Sequence, residues 1–82
     1  MPRYKDVHNL PGVKAEAVAK AHEADLAIQG QYGVDYVHYW VDEAQGKVFC
    51  LVDAPDAETA TRVHREAHGL EAQEMHEVVQ GA

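Results

Sequence analysis

The sequence contains no serine, a single cysteine and few basic residues, and each scarcity limits the possible functions. Without serine, a serine nucleophile for covalent catalysis is excluded. One cysteine, Cys50, cannot form an internal disulfide, which suits a reducing compartment. Seven Lys and Arg against fourteen Asp and Glu give a formal net charge of −7. That charge disfavours nucleic acid and anionic membrane surfaces as partners.

Long apolar runs are also missing. The first ten residues lack the apolar segment of a signal peptide, and no run elsewhere is long enough to span a bilayer. We therefore expect a cytoplasmic protein. With 82 residues the chain is expected to form a single domain, 1–82. The core of such a domain is thin, so a dimer that buries a further face would add stability.

Histidine is abundant, with six residues in a chain of 82. The six are His8, His22, His38, His64, His68 and His76. Imidazole is a common metal ligand and the usual acid–base group near neutral pH. A histidine-based ligand set or chemistry is therefore the feature that a function must explain.

Hydrophobic periodicity and turn residues predict six elements in the order β-α-β-β-α-β. The predicted strands are 3–8, 34–43, 47–53 and 74–79, and the predicted helices are 13–33 and 54–69, with Asp56 as N-cap of the second. This order indicates an α+β fold, the ferredoxin-like βαββαβ sandwich. In that fold the antiparallel sheet has the strand order 4-1-3-2, and both helices lie on one face.

The predicted hairpin register decides which residues share a face of the sheet. A two-residue turn at Gln45 and Gly46 places His38 directly opposite Asp53. Alternation then puts one set of residues on the open face: Tyr36, His38, Trp40, Phe49, Leu51 and Asp53. The core set contains Val37, Tyr39, Val41, Val48, Cys50 and Val52, so Cys50 is expected to be a buried, inert thiol. The apolar patch on the open face predicts a homodimer through that face.

Three pairs of residues are candidate metal ligands. His38 with Asp53, and His8 with Asp6, are predicted on the open face toward opposite ends of the sheet. His64 and His68 lie four apart, on one face of the second helix. Each pair also has an ordinary interpretation, as polar surface or interface residues or as the end of a helix. Two imidazoles alone bind weakly, so the helical pair needs ligands from elsewhere.

Asp25 is a separate signal. It falls inside the apolar stripe of the first predicted helix, between Val18 and Ile28. A carboxylate in that position needs hydrogen-bond partners, because burying an unpaired charge is costly. We interpret it as a structural residue.

Three segments of the sequence resemble the small nickel-binding proteins of the ferredoxin-like class. They are DVH at 6–8, YGVDYVHYWVDEAQGKVFCLVDAPDAE at 32–58 and VHREAHGL at 63–70. The similarity extends over nearly the whole chain. It implies a ferredoxin-like dimer that binds Ni²⁺ and serves in nickel storage or detoxification.

Imidazole with carboxylate is a ligand set suited to Ni²⁺, Cu²⁺, Co²⁺ or Zn²⁺, and only the resemblance selects nickel. Our first hypothesis is therefore a metal-binding protein without catalysis, which sequesters nickel. The alternative is a small dimeric α/β-barrel enzyme, monooxygenase- or isomerase-like, with a His/Asp pair in a pocket. A third is a structural or regulatory dimer without a ligand. Histidine ligands predict that metal binding weakens below about pH 6.5.

Overall fold

The computed structural model describes residues 1–82 and contains the six predicted elements in the predicted order. β1 spans Arg3–Asn9, α1 Ala15–Ile28, β2 Asp35–Asp42, β3 Lys47–Asp53, α2 Ala57–Ala67 and β4 Glu74–Glu77. The strands form one antiparallel sheet in the order β2-β3-β1-β4. Read from the other edge this is 4-1-3-2, so the ferredoxin-like α+β fold is confirmed. Neither helix has the length and apolar character needed to cross a membrane.

Local signals in the sequence set the ends of the helices. α1 continues into one 3₁₀ turn, Gln29–Tyr32, which ends at Gly33 with φ at 64°. Glycine adopts this left-handed conformation without the steric cost of a Cβ atom. Asp56 caps α2 as predicted, because its Oδ1 accepts a 2.7 Å hydrogen bond from the backbone N–H of Thr59.

The hydrophobic core lies between the helices and one face of the sheet. Its buried members are Tyr4, Val18, Val34, Tyr36, Val48, Cys50, Val52, Ala54, Ala60 and Val63. Cys50 is buried in this cluster, as predicted. Tyr36 is a large core residue, and its hydroxyl donates a 2.8 Å hydrogen bond to the carbonyl of Ala60 on α2. The sheet and the second helix are therefore joined by a polar contact inside the core.

The predicted register of the hairpin is wrong by two residues. The strands are joined by four residues, 43–46, rather than by two, and Asp42 pairs with Lys47. The side chain of Asp42 accepts a 3.0 Å hydrogen bond from the backbone N–H of Gln45, which supports the longer turn. As a result His38 lies opposite Leu51 and not opposite Asp53.

An irregularity in β2 changes the face of one predicted residue. The register shifts between Tyr36 and His38, so that Val37 is an extra residue in the strand. Tyr36 therefore pairs with Val52 and enters the core at 2% exposure, although alternation had predicted it on the open face. Trp40 stays on the open face, as predicted, opposite Phe49.

The two faces of β1 are reversed relative to the prediction. Asp6 and His8 pair with Cys50 and Val48, whose side chains face the helices, so both lie on the core side of the sheet. The strand carries one apolar residue of each parity, Tyr4 and Val7, so alternation alone does not decide its face. The predicted place of Asp6 and His8 on the open face requires Val7 to face the core, whereas Tyr4 joins the core cluster. Asp6 and His8 have the same parity as Tyr4 in the strand and therefore also face the core.

The hairpin turn also makes the tightest backbone approach involving a glycine. Gly46 has φ at 67°, and a Cβ atom added there would lie 2.8 Å from the Cα of Pro11. The backbone N–H of Leu10 donates a 2.7 Å hydrogen bond to the carbonyl of Gly46, which holds the two segments together. Separating the hairpin turn from the segment at Leu10 and Pro11 would break that hydrogen bond.

We predict that Gly46→Ala destabilises the fold by about 1–3 kcal/mol, through left-handed backbone strain and the clash with Pro11. Chemical denaturation measures the change. Gly30→Ala is the matched control, because a Cβ atom there meets nothing within 4 Å and φ is ordinary. Equal stability of the two variants would contradict this account of the turn.

Candidate metal centre

His64 lies at the centre of a buried cluster of imidazoles and carboxylates. Its side chain is only 3% exposed. Nδ1 lies 2.9 Å from Oδ1 of Asp25 on α1, and Nε2 lies 3.0 Å from Oδ2 of Asp6 on β1. One ring of α2 thus connects the first helix to β1, one of the two central strands of the sheet. The ring also stacks on Tyr36, with centroids 4.2 Å apart.

The local sequence explains why these three residues meet. His64 follows Val63 and lies four residues after Ala60, so it belongs to the buried side of α2. Asp25 occupies the buried side of α1, together with Val18. Asp6 alternates with Tyr4 on the core side of β1. Since both helices cover this side of the sheet, their polar core residues come together on Asp6.

His68 extends the cluster toward the solvent. Its Nε2 lies 3.1 Å from Oδ1 of Asp25 and 3.1 Å from Nδ1 of His64, and its side chain is 13% exposed. The backbone N–H of Leu70 donates a 3.1 Å hydrogen bond to Nδ1 of His68. The ring therefore carries a proton on Nε2, which it donates to Asp25. The predicted helical pair therefore has a carboxylate from another helix, Asp25, within contact distance, and His64 of the pair is buried.

His8 and Cys50 complete the inner side of the cluster. Nε2 of His8 lies 3.2 Å from Oδ1 of Asp6, but outside hydrogen-bond geometry, so Oδ1 of Asp6 and Nδ1 of His8 have no hydrogen-bond partner. Two groups place ligand-type atoms within 4.8 Å of one another: Asp25, His64, His68, and Asp6, His8, Cys50, His64. His64 belongs to both groups.

The carboxylates determine the charge of His64. Burial alone would lower its pKa, but hydrogen bonds and charge from Asp25 and Asp6 outweigh burial and raise the pKa to about 9. Burial would raise the pKa of Asp6, yet the hydrogen bond with His64 and the nearby imidazole of His8 lower it to about 2. The pKa of Asp25 is also lowered, by His64 and His68 against burial. Near neutral pH, His64 is therefore an imidazolium between two carboxylates.

The outer group fits a divalent transition metal by spacing and by chemistry. Nδ1 of His64, Nε2 of His68 and Oδ1 of Asp25 are separated by 2.9, 3.1 and 3.1 Å. Adjacent ligands of an octahedral ion, each about 2.1 Å from the metal, are about 3.0 Å apart. Two imidazole nitrogens and a carboxylate oxygen are ligands that Ni²⁺ accepts. Asp6 would accept the other N–H of His64, which orients the ring toward the ion.

The other predicted pairs have different surroundings. Asp53 forms a two-point contact with Arg3, at 2.7 and 2.8 Å, and does not face His38. His38 is exposed on the open face, near Trp40. The register error therefore removes the predicted His38–Asp53 pair. Asp6 and His8 do lie together, but in the core beside His64 and not on the open face.

Asp25 is the residue that the predicted ligand set omitted. Its position in an apolar stripe did signal a need for hydrogen-bond partners, and the structure supplies them from His64 and His68. The sequence pattern did not connect Asp25 with those histidines, because the contact depends on how α1 packs against α2. The packing of α2 on the sheet joins two predicted pairs, His8 with Asp6 and His64 with His68, into one cluster, because Asp6 on β1 contacts His64.

The fold and the site together define a small ferredoxin-like α+β protein with buried His, Asp and Cys groups that could hold a metal ion. The sequence model of one family, described as nickel responsive protein SCO4226-like, matches residues 4–78, and the chain belongs to that family. The crystal structure of SCO4226 from Streptomyces coelicolor A3(2) is similar, with 38% identity and a TM-score of 0.90. The match covers 98% of this chain and 99% of that one. No curated protein matches the chain significantly.

We predict that any metal ion held by the outer group competes with a proton on His64. Since its pKa is raised to about 9, the metal-free ring stays protonated well above the ordinary value of about 6.5. Nickel affinity should therefore keep rising with pH up to about 9, and each ion bound at pH 7.5 should release about one proton. Calorimetry in buffers of different ionisation enthalpy counts that proton. An affinity that levels off near pH 7, with no proton released, would place the metal on other histidines.

Proposed function

We propose that this protein binds nickel and sequesters it, with Asp25, His64 and His68 as protein ligands and Asp6 orienting His64. The observation that carries the proposal is the convergence of three donor atoms within 3.1 Å of one another on two helices. Membership of a nickel-responsive family supports nickel over the other ions that this ligand set accepts.

The surroundings of the three ligands favour long retention of a bound ion over brief binding at the protein surface. Asp25 and His64 are buried, which limits exchange with water, while His68 is the more exposed ligand and marks a route of entry. The three groups fill half of an octahedral shell, so water or other donors complete it. Binding without catalysis is sufficient for sequestration, and we propose no reaction for the nickel site. A buried free thiol suits a reducing cytoplasm, where we place the protein.

We further propose that the chain is a homodimer through the open face of the sheet. Trp40 is 49% exposed there, beside Phe49, which is an unusual position for a large aromatic side chain in a monomer. The ammonium group of Lys5 lies 5.7 Å from the centre of the Trp40 ring and 5.2 Å from that of Phe49. A basic side chain therefore lies above the two aromatic rings of this patch.

A second candidate function is a small α/β-barrel enzyme. It is favoured by a cavity of about 60 Å³ lined by His8, His64, His68 and Asp25. In that case His64, held by two carboxylates, would serve as an acid–base group. The two functions differ in one measurement, because only the first requires stoichiometric nickel uptake.

The nickel proposal predicts a selective loss of metal on substitution. His68→Ala and Asp25→Asn should each weaken nickel binding by about 100-fold or more, and Asp6→Asn by about 10–100-fold. Calorimetry and metal analysis after gel filtration measure affinity and stoichiometry, and circular dichroism verifies folding. His38→Ala and His76→Ala are matched controls, since both histidines are exposed. Normal uptake by the first three variants would refute this site, and loss in the His38 variant would move it to the open face.

The dimer proposal predicts that Trp40→Glu yields a monomer. A charge buried in the interface without a partner costs several kcal/mol. Light scattering at micromolar concentration measures the mass. Leu26→Glu is the control, because Leu26 is similarly exposed but lies on α1. A wild-type monomer, or an unchanged mass in the Trp40 variant, would rule out this interface.

A further inference from the structure

Four donor groups meet on the inner side of the cluster, between the sheet and α2. This inner group comprises Asp6, His8, Cys50 and His64, whose ligand-type atoms lie within 4.8 Å of one another. None of the four residues is more than 7% exposed. The nickel proposal leaves His8 and Cys50 without a role, and it takes only Nδ1 of His64 as a ligand.

The topology of the sheet explains why these groups meet. Asp6 and His8 are two residues apart on β1 and therefore lie on the same, helix-covered face. Cys50 on β3 lies directly opposite Asp6. His64 reaches the same point from α2, with its Nε2 3.0 Å from Oδ2 of Asp6. Three donors from the sheet and one from the helix above them do not lie in one plane, as tetrahedral coordination requires.

Two polar atoms of the inner group are buried without a partner. Oδ1 of Asp6 and Nδ1 of His8 take part in no hydrogen bond, and their side chains are 0% and 4% exposed. A buried polar atom left without a partner costs about 1–3 kcal/mol, and a bound ion is one of the few arrangements that account for it. Since Oδ2 of Asp6 is already paired with His64, Oδ1 is the oxygen that is free to bind an ion.

The cavity of about 60 Å³ extends to the inner group, because His8, Cys50 and His64 all line it. A single water needs about 10–15 Å³ of such space. The cavity therefore has room for an ion beside three of the four donor residues.

The donor atoms select the kind of ion. Sulfur and imidazole nitrogen are ligands of tetrahedral Zn²⁺, and sites in which the protein supplies all four ligands are typical of zinc. A thiolate favours Zn²⁺ over harder ions such as Mg²⁺ and Mn²⁺. One carboxylate and one thiolate also supply two negative charges, which match the charge of a divalent ion.

We propose that Asp6, His8, Cys50 and His64 form a second metal site, which binds Zn²⁺ in tetrahedral coordination with Nε2 of His64 as one ligand. Donor atoms around tetrahedral zinc are about 3.3–3.6 Å apart, so the widest separations in the inner group close by about 1 Å on binding. The second site shares only His64 with the three proposed nickel ligands, and it requires no nickel.

The test uses Co²⁺ as the probe, because its absorption spectrum reports both tetrahedral geometry and sulfur ligation. Added without oxygen to the metal-free protein, Co²⁺ should produce intense visible bands and a sulfur-to-cobalt charge-transfer band. Cys50 is the only cysteine, so a charge-transfer band can arise from no other residue. An excess of Zn²⁺ should remove these bands, because nitrogen and sulfur ligands bind Zn²⁺ more tightly than Co²⁺.

Substitutions separate the inner group from the nickel ligands. Cys50→Ala should abolish the charge-transfer band, and His8→Gln should weaken the binding of Co²⁺ at least about tenfold. His76→Gln is the matched control for His8, because His76 is exposed and lies outside the group. His68→Ala removes a proposed nickel ligand only, so the bands should remain in that variant and saturate at one Co²⁺ per chain. Circular dichroism during each titration verifies that the chain stays folded.

Each outcome decides between the two sites. Weak octahedral bands without charge transfer would overturn the zinc site, and so would unchanged affinity in the His8 variant. Bands that appear only as the circular dichroism signal is lost belong to the thiol of an unfolded chain and would overturn it as well. Failure of nickel uptake with the cobalt bands intact removes the nickel proposal alone. Normal nickel uptake without the cobalt bands removes the zinc site alone.

Discussion

The imidazole of His64 is held between two carboxylates that come from distant parts of the chain, Asp6 on β1 and Asp25 on α1. None of the three is more than 3% exposed, so none can obtain its partners from water. A buried charge without a partner costs several kcal/mol. Each of the three groups can therefore be buried only if the other two lie beside it. This mutual requirement determines which face of β1 turns inward and which sides of α1 and α2 meet.

The same atoms could hold either protons or, as proposed, a metal ion. In the metal-free chain protons link the imidazoles to the carboxylates, and the donor atoms already have the spacing of adjacent ligands around an ion. Binding would therefore require little rearrangement of the protein, which favours affinity because few side chains must be ordered anew. Exposed histidines such as His38 and His76 do not belong to such a prearranged set of donor atoms. The excess of negative charge in the chain adds a general attraction for cations.

Much of the fold could be predicted from the sequence because its signals are local. The strand and helix patterns, the cap at Asp56 and the break at Gly33 each depend on neighbouring residues only. The errors arose where a decision depended on the rest of the molecule. Alternation in β1 did not distinguish Tyr4 from Val7 as the inward residue. The hairpin loop was longer than its Gln45–Gly46 pair indicated, and no residue type marked the extra residue in β2. The candidate site shows the same contrast between local and tertiary signals. The spacing of His64 and His68 in the sequence was enough to make them candidate ligands. Asp25 became a candidate ligand only through the packing of α1 on α2.

The extra residue at Val37 allows β2 to place one aromatic residue in the core and another on the open face of the sheet. On one side of it Tyr36 enters the core, stacks on His64 and bonds to α2, while on the other side Trp40 faces outward. In a regular strand residues 36 and 40 would share a face, so aromatic residues at both positions could not occupy the core and the exterior at once. The strand should therefore accept many exchanges of residue type at position 37 but not a change in its length. Over evolutionary time this segment is expected to vary by substitution, while insertions and deletions accumulate elsewhere in the chain.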